Sequence, residues 1–204
     1  MKGAYYIIFQ QFKNDIGSIN DIIYFDENDY LREKTSNPIK LKQVIIKAEE
    51  LLEQLNEDHL KNKDEIYFLN GTLGNLYRIY GEPKNAIRYL QSNLLYCMEE
   101  KNDKKEVVTL IRLGEAYKYD NKHQEAMDQF DKALGKCKNA GTDTYFLDFV
   151  LQHKGKCLLE LGMVEKALVC LENALEIRKL KGDSSLIQST QQTINFGRKM
   201  KIRK

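Results

Sequence analysis

Proline is almost missing from this chain, with two in 204 residues. Few points therefore force a helix to break, and the abundance of Leu, Lys, Glu and Ala favours helix throughout. Cysteine is also sparse. The four, at 97, 137, 157 and 170, form no CxxC pair and lack metal-ligand spacing with His59, His123 or His153. Their expected state is free thiol, packed as a small apolar side chain in a reducing compartment. No apolar run is long enough to span a membrane. Ala4 to Phe9 is too short for a signal peptide and no cleavage-like site follows it, so cytoplasm is the expected location. Neither sign of charge dominates. The net charge is +2, but the last seven residues, Arg198 to Lys204, carry five basic side chains; the rest holds 27 basic and 30 acidic residues, a net of −3. The body is thus no basic platform for nucleic acid, and the tail is expected to be a solvated end.

Catalytic signatures are absent as well. There is no GxGxxG, P-loop, HExxH or GxSxG. His123 stands beside a turn and is expected to be solvated. His153 has Cys157 four residues on, but no further ligands accompany the pair, and packing or surface accounts for it. Neither an enzyme, a cofactor nor a metal is implied.

What the chain does have is clearest in residues 104–138. Val107, Leu110, Leu113 and Tyr117 fall on one face of a helix that ends at Asp120-Asn121, and Ala126, Phe130, Ala133 and Leu134 form a second stripe. Gly114 lies within the first. A helix-interior glycine costs about 1 kcal/mol relative to alanine, which a close approach by the second helix would offset. The spacing predicts Ala126 in that gap and Phe130 in the wider space beyond. The same spacing recurs as Leu73-Gly74-x2-Tyr77-x8-Ala86-x3-Leu90 and as Gly155-x2-Leu158-x8-Ala167-x3-Leu171-x2-Ala174. Asn93 replaces the last small residue of the former, and Lys154 and Leu158 replace the Leu and Tyr of the latter. Gly74, Gly114, Gly155 and Gly197 are 40, 41 and 42 residues apart; Asp64, Asp103, Asp143 and Asp183 are 39, 40 and 40 apart. Each aspartate precedes a first helix, where a carboxylate meets amide hydrogens and the helix dipole.

The pattern Leu110-x2-Leu113-Gly114-x2-Tyr117-x8-Ala126-x3-Phe130-x2-Ala133 resembles the tetratricopeptide repeat, a helix-turn-helix hairpin. The period exceeds the usual length of about 34. Lengthened helices around the inter-repeat turns would supply the difference, as in the sensor domains of Rap-type and PlcR-type peptide-responsive regulators. The resemblance implies an all-α fold, a right-handed superhelical array of antiparallel helix pairs. Units are expected at 38–61, 64–100, 103–140 and 143–181, with a capping helix at 183–200, a basic tail at 201–204 and an N-terminal helical segment at 1–37.

Within that segment, Tyr5, Ile8, Phe9, Phe12, Ile16, Ile19 and Ile23 trace one helical face over residues 4–25, with Gly17 as a place to bend; residues 26–37 are polar and predict a loop. Asn37-Pro38 starts the next helix, which presents Leu41, Ile45, Ala48, Leu52 and Leu55. No Leu-Gly-x2-Tyr segment precedes it, so the first unit is degenerate or has a different first helix. Residues 1–37 have two open roles, covering one end of the array or forming a dimer contact. Tyr5, Tyr6, Tyr77, Tyr80, Tyr117 and Tyr119 are expected in the core or seams.

In the family, ligands are held by first-helix residues off the packing stripe. By register these are Phe68, Asn75 and Arg78; Val108, Ile111, Glu115 and Lys118; Phe149, Gln152, Lys156 and Leu159; and Ile194 and Arg198 in the cap. The set suits an amphipathic peptide: apolar anchors, Asn75 and Gln152 for its backbone, and Arg78, Lys118 and Lys156 for its acids. The chaperone-tail clamp of the family is incomplete, since Gly71 and Arg112 stand where Lys and Asn would be. The resemblance therefore implies a non-enzymatic adaptor that binds a protein or peptide segment in a concave groove, or a regulator shifted by a short signalling peptide and acting on another protein.

Overall fold

The computed structural model describes residues 2–56, 62–139 and 144–202, with side chains at 8–55, 62–137 and 145–202. The chain forms two compact units, Met1–Tyr96 and Cys97–Lys204.

In the first unit, α1 (Lys2–Ser18) is followed by a single 3-10 turn and the strands β1 (Ile23–Asp26) and β2 (Arg32–Thr35), then α2 (Pro38–Asn56), α3 (Lys63–Tyr80) and α4 (Pro83–Glu99). The predicted helix over 4–25 stops seven residues early, and the predicted loop over 26–37 contains a strand. The reason is local. Gly17 weakens the helix end, the Ser18 hydroxyl turns back onto the Asp15 carbonyl at 2.7 Å, and the β-branched and aromatic run IIYF favours extended backbone. Asp26 closes the hairpin: its side chain accepts the Asn28 amide at 2.9 Å and its carbonyl the Leu31 amide at 2.9 Å. Tyr30 and Leu31 take positive φ in the turn.

Helices α1 and α2 run antiparallel. Asp15 pairs with Lys47 at 2.6 Å, and the Ser18 carbonyl accepts from Lys40 at 3.1 Å. The first pair thus has a first helix of its own, with a β-hairpin where the later pairs have tight turns. Asn37 caps α2 through the Lys40 amide, and Leu41, Ile45, Ala48, Leu51 and Leu55 are buried beneath it.

The second unit holds the rest of the repeat: α5 (Asp103–Tyr119), α6 (His123–Asn139), α7 (Leu147–Glu160), α8 (Val164–Lys181) and α9 (Ser184–Ile202). The turns at 81, 121 and 162 are built alike. Gly81, Asn121 and Gly162 take left-handed φ of 93°, 57° and 71°, and the next amide in each case reaches back five residues, Glu82 to Tyr77, Lys122 to Tyr117 and Met163 to Leu158, each at 2.9 Å. This is the glycine-type helix stop, with asparagine tolerated in the left-handed region at 121. Helices of 17 or 18 residues in α3, α4, α5, α6 and α8 account for the long period.

The glycines stand where helices touch. A Cβ on Gly74 would lie 2.5 Å from Leu90, on Gly114 2.5 Å from the Phe130 ring, and on Gly155 2.7 Å from Leu171. The nearest neighbour is the large residue and not the expected alanine: Phe130 lies directly on Gly114, while Ala86, Ala126 and Ala167 are buried one turn earlier. Asn93, where a small residue was expected, is buried and donates to the Tyr67 carbonyl at 2.8 Å. Gly197 seats α9 on Leu159 at 3.0 Å.

The repeating aspartates divide. Asp183 is a cap, accepting the Ser185 and Leu186 amides at 3.1 Å each, which holds its carboxyl below the usual range. Asp64 and Asp103 sit inside the first turn of α3 and α5, near the dipole but past the cap; Asn102 caps α5 through the Lys105 amide. Asp143, the side chains of Tyr5 and Tyr6, and the tail residues Arg203 and Lys204 lie outside the described residues. Cys97 and Cys157 are buried and Cys137 and Cys170 half-buried. No helix among the described residues is long and apolar enough to cross a membrane.

Candidate protein-binding faces

In the first unit the site residues lie along α3. Phe68, half-buried, takes the Phe9 ring edge-on at a centroid distance of 5.6 Å. One face further along, Arg78 is 5% exposed. Its Nη2 donates to the Asn75 Oδ1 at 2.6 Å and to the Glu33 carboxylate of β2. Arg78 thus holds the Glu33 carboxylate of the hairpin, and Asn75, one helical turn away, accepts from the same Nη2. Behind them Tyr77 and Tyr89 stack at 5.8 Å and both donate to Glu49, at 2.7 and 2.8 Å. Burial and then the Glu49 carboxylate push both phenols up, Tyr89 to about 12.

In the second unit the polar positions have gone inward. Lys118 is 1% exposed, with Glu115 at 2.9 Å and Glu160 at 3.6 Å. Burial alone would lower its ammonium, but the two carboxylates outweigh that and hold it above its ordinary value. His123 reaches Glu160 at 2.9 Å and His153 reaches Glu115 at 3.1 Å. The cluster joins α5, the start of α6 and α7. His123 is therefore anchored in this cluster and is not the solvated turn residue expected. Ile111 is buried and Val108 half-buried beside it.

Gln152 is buried on α7. Its Nε2 donates to Thr193 Oγ1 of α9 at 3.1 Å, and the Thr193 hydroxyl is itself spent on the Ser189 carbonyl at 3.0 Å. That chain fixes the amide orientation and leaves Gln152 Oε1 without a partner. Lys156 and Leu159 are buried too, as is Ile194, which belongs to the core between α7, α8 and α9. Arg198 is exposed and pairs with Glu172 at 3.0 Å. Half-buried Phe149 lies under the Arg178 guanidinium at 5.1 Å. Arg178 and Asp148, at 2% and 0% side-chain exposure, bond at 2.9 Å, and Arg178 continues to Thr190 Oγ1 at 2.6 Å and the Leu186 carbonyl at 3.2 Å.

The fold therefore brings Asn75 to Arg78 and Glu115 to Lys118, and buries Gln152 and Lys156. Sequence reasoning missed Glu33, Glu160, Asp148 and Arg178. The last three share the 3.6-residue faces of α7 and α8 and were legible only as charges facing inward; Glu33 carried no signal. Among the described residues, no three His, Cys, Asp or Glu side chains are placed to hold a metal ion.

Residues 150–179 match the tetratricopeptide repeat model. A sequence search of curated proteins returns no match. The apo form of RapI superposes with a TM-score of 0.71 at 17% identity, over 98% of this chain but 65% of RapI, so this chain spans just under two thirds of that protein. A Podosopora anserina protein of kinesin light chain type, with nearly identical TPR-like repeats, gives 0.61 at 12% identity over 81% of each chain. The TPR domain of Arabidopsis FLU gives 0.51 at 21% identity, over 59% of this chain and 99% of that domain. Identities this low carry the fold and no activity.

Proposed function

We propose that this tetratricopeptide-repeat protein is a non-enzymatic adaptor, working in the cytoplasm, that binds a protein or peptide segment on the faces of its first helices. The observation that supports it most is on α3: its face already takes side chains from elsewhere in the chain, the Phe9 ring of α1 edge-on at Phe68 and the Glu33 carboxylate of β2 on Arg78. Those are the contact types by which a helical groove takes a peptide. On α7, the orphan Gln152 Oε1 is an acceptor that a peptide amide could satisfy once α9 shifts; leaving it unmade costs about 1–3 kcal/mol.

The test is selection of a random displayed-peptide library on the full chain, followed by titration of the selected peptides. Phe68→Ala, Asn75→Ala and Phe149→Ala are expected to weaken binding about tenfold or more, the cost of a lost anchor. Selected peptides that ignore all three substitutions, or a library that yields no binder, would remove the reading.

The likeness to RapI over nearly the whole chain favours a second reading, a regulator whose state is shifted by a short signalling peptide and which acts on another protein. It requires differential affinity of the peptide for two states. A selected peptide that alters amide exchange in both units supports it; protection confined to the contact helix supports the plain adaptor.

A further inference from the structure

In the second unit, α6 and α8 each pack on α7 and leave a cleft of about 440 Å³ lined from all three helices. Leu158 of α7, 4% exposed, is its floor. Half-buried Met127 of α6 and Cys170 of α8 are its walls, and Met163 and Val169, 46% and 59% exposed, stand at its open edge. The charged groups of the lining are Lys154 and Lys166. Lys154 is bonded to Asp131 of α6. Lys166 is exposed, and no carboxylate among the described residues pairs with it.

The lining dictates what can enter. It offers ammonium donors and almost no acceptor, so an extended peptide would leave its amide hydrogens unmade on an apolar floor. A helix keeps its backbone hydrogen bonds to itself and brings only side chains. Gly135 points the same way. It lies on α6 one turn beyond Asp131, on the same face, exposed and with nothing within 4 Å of its Cβ position. Gly74, Gly114 and Gly155 each let a large side chain of the paired helix sit directly on the backbone. Gly135 offers that close approach to a helix from outside, where alanine would otherwise be favoured. The free ammonium of Lys166 sets the sign of the occupant's charge, and Met127 and Met163 are flexible enough to fit its side chains. We propose that the cleft between α6 and α8 binds an acidic amphipathic helix of a partner protein, with apolar side chains on Leu158 and Met127 and a carboxylate against Lys166. This is a second binding face, on the second helices, and it does not rest on the first-helix faces described above.

The test is selection on the full-length chain from a displayed library of helix-forming sequences of about 18 residues, long enough to hold a helix. Apolar residues are fixed one turn apart, and acidic, basic and neutral residues are left free beside them. Selected sequences are expected to carry acids next to the apolar stripe. They should bind about tenfold more weakly to Val169→Asp, Lys166→Glu and Gly135→Leu. All three positions are exposed, so the substitutions leave the core intact. Cys170 gives a second readout on the unmodified chain. Burial pushes its thiol up, against the pull of nearby Lys154. A selected helix at roughly ten times its Kd should slow alkylation of Cys170, read by peptide mass mapping, about tenfold. A library that yields no sequence sensitive to the three substitutions overturns the proposal, as do sequences rich in bases or saturating binding that leaves Cys170 alkylation unchanged. Selected sequences that respond only to Phe68→Ala or Asn75→Ala would remove the cleft and leave the adaptor standing. Dodecanoate that protects Cys170 where no helix does would assign the cleft to an acyl chain and likewise overturn the partner helix.

Discussion

Gly114→Ala is the substitution that most directly sets two effects against each other. In a helix interior alanine is favoured over glycine by about 1 kcal/mol, so with free space the change would stabilise. Space is what the site lacks. The added Cβ would stand 2.5, 2.8 and 2.9 Å from three atoms of the Phe130 ring, which has no solvent exposure. A ring cannot fold one end away as a leucine can, so α5 and α6 must part or Phe130 must leave its rotamer; overpacking of this kind costs about 1–3 kcal/mol. The net expectation is a loss of roughly 0–2 kcal/mol. Gly135, in α6 with nothing within 4 Å of its Cβ position, is the control: Gly135→Ala should stabilise by about 0.5–1 kcal/mol. Urea unfolding of the two variants side by side, at unchanged m, reads the difference. In a Phe130→Ala background, itself costing about 3–5 kcal/mol, Gly114→Ala should turn stabilising, a coupling visible in the double-mutant cycle. If Gly114→Ala stabilises as much as Gly135→Ala in the unmodified background, helix contact is not what the glycine provides.

Lys118→Met leaves Glu115 and Glu160 buried without their ammonium, and should lower unfolding free energy by about 3–5 kcal/mol; a loss below about 1 kcal/mol, the range of surface pairs, would contradict the burial described. Tyr89 has a folded value raised from 10.0 to about 12, so the stability linked to it is complete below pH 10 and is lost as pH rises through about 12. Near-ultraviolet titration should accordingly find Tyr77 and Tyr89 still protonated at about pH 11, when ordinary tyrosines have ionised, and Glu49→Gln should bring both down. Asp183 has a lowered folded value; its capping contribution is complete above its ordinary value of 3.8 and fades as pH falls through the lower folded one. Asp183→Asn should keep α9 capped but remove that acid dependence, measured as amide exchange at residues 185–188.

The repeat was legible because the contacts that define it are local and periodic. Gly74, Gly114 and Gly155 announce helix approach from spacing alone, and Gly81 and Gly162 announce the turns. Which large residue sits on each glycine was not legible, since it depends on helix offset and not on period. The N-terminal hairpin was misread because Ile16, Ile19 and Ile23 satisfy a helical register as well as they satisfy a strand beyond Gly17; the Asp26 side chain, which closes the turn, decides between them. The groove positions were assigned by register, and register does not report their environment. Whether Lys118 faces a partner or two buried carboxylates depends on Glu160, 42 residues away, and no local pattern reports that. Arg78 is the same case, settled by Glu33 from an element the periodicity did not contain.

The central claim is that the first-helix faces, that of α3 foremost, receive a protein or peptide segment. Hydrogen exchange of the full chain with a library-selected peptide tests it most directly. The account predicts that residues 68–79 become more protected as the peptide is titrated in. Protection elsewhere, with α3 unchanged, would contradict it.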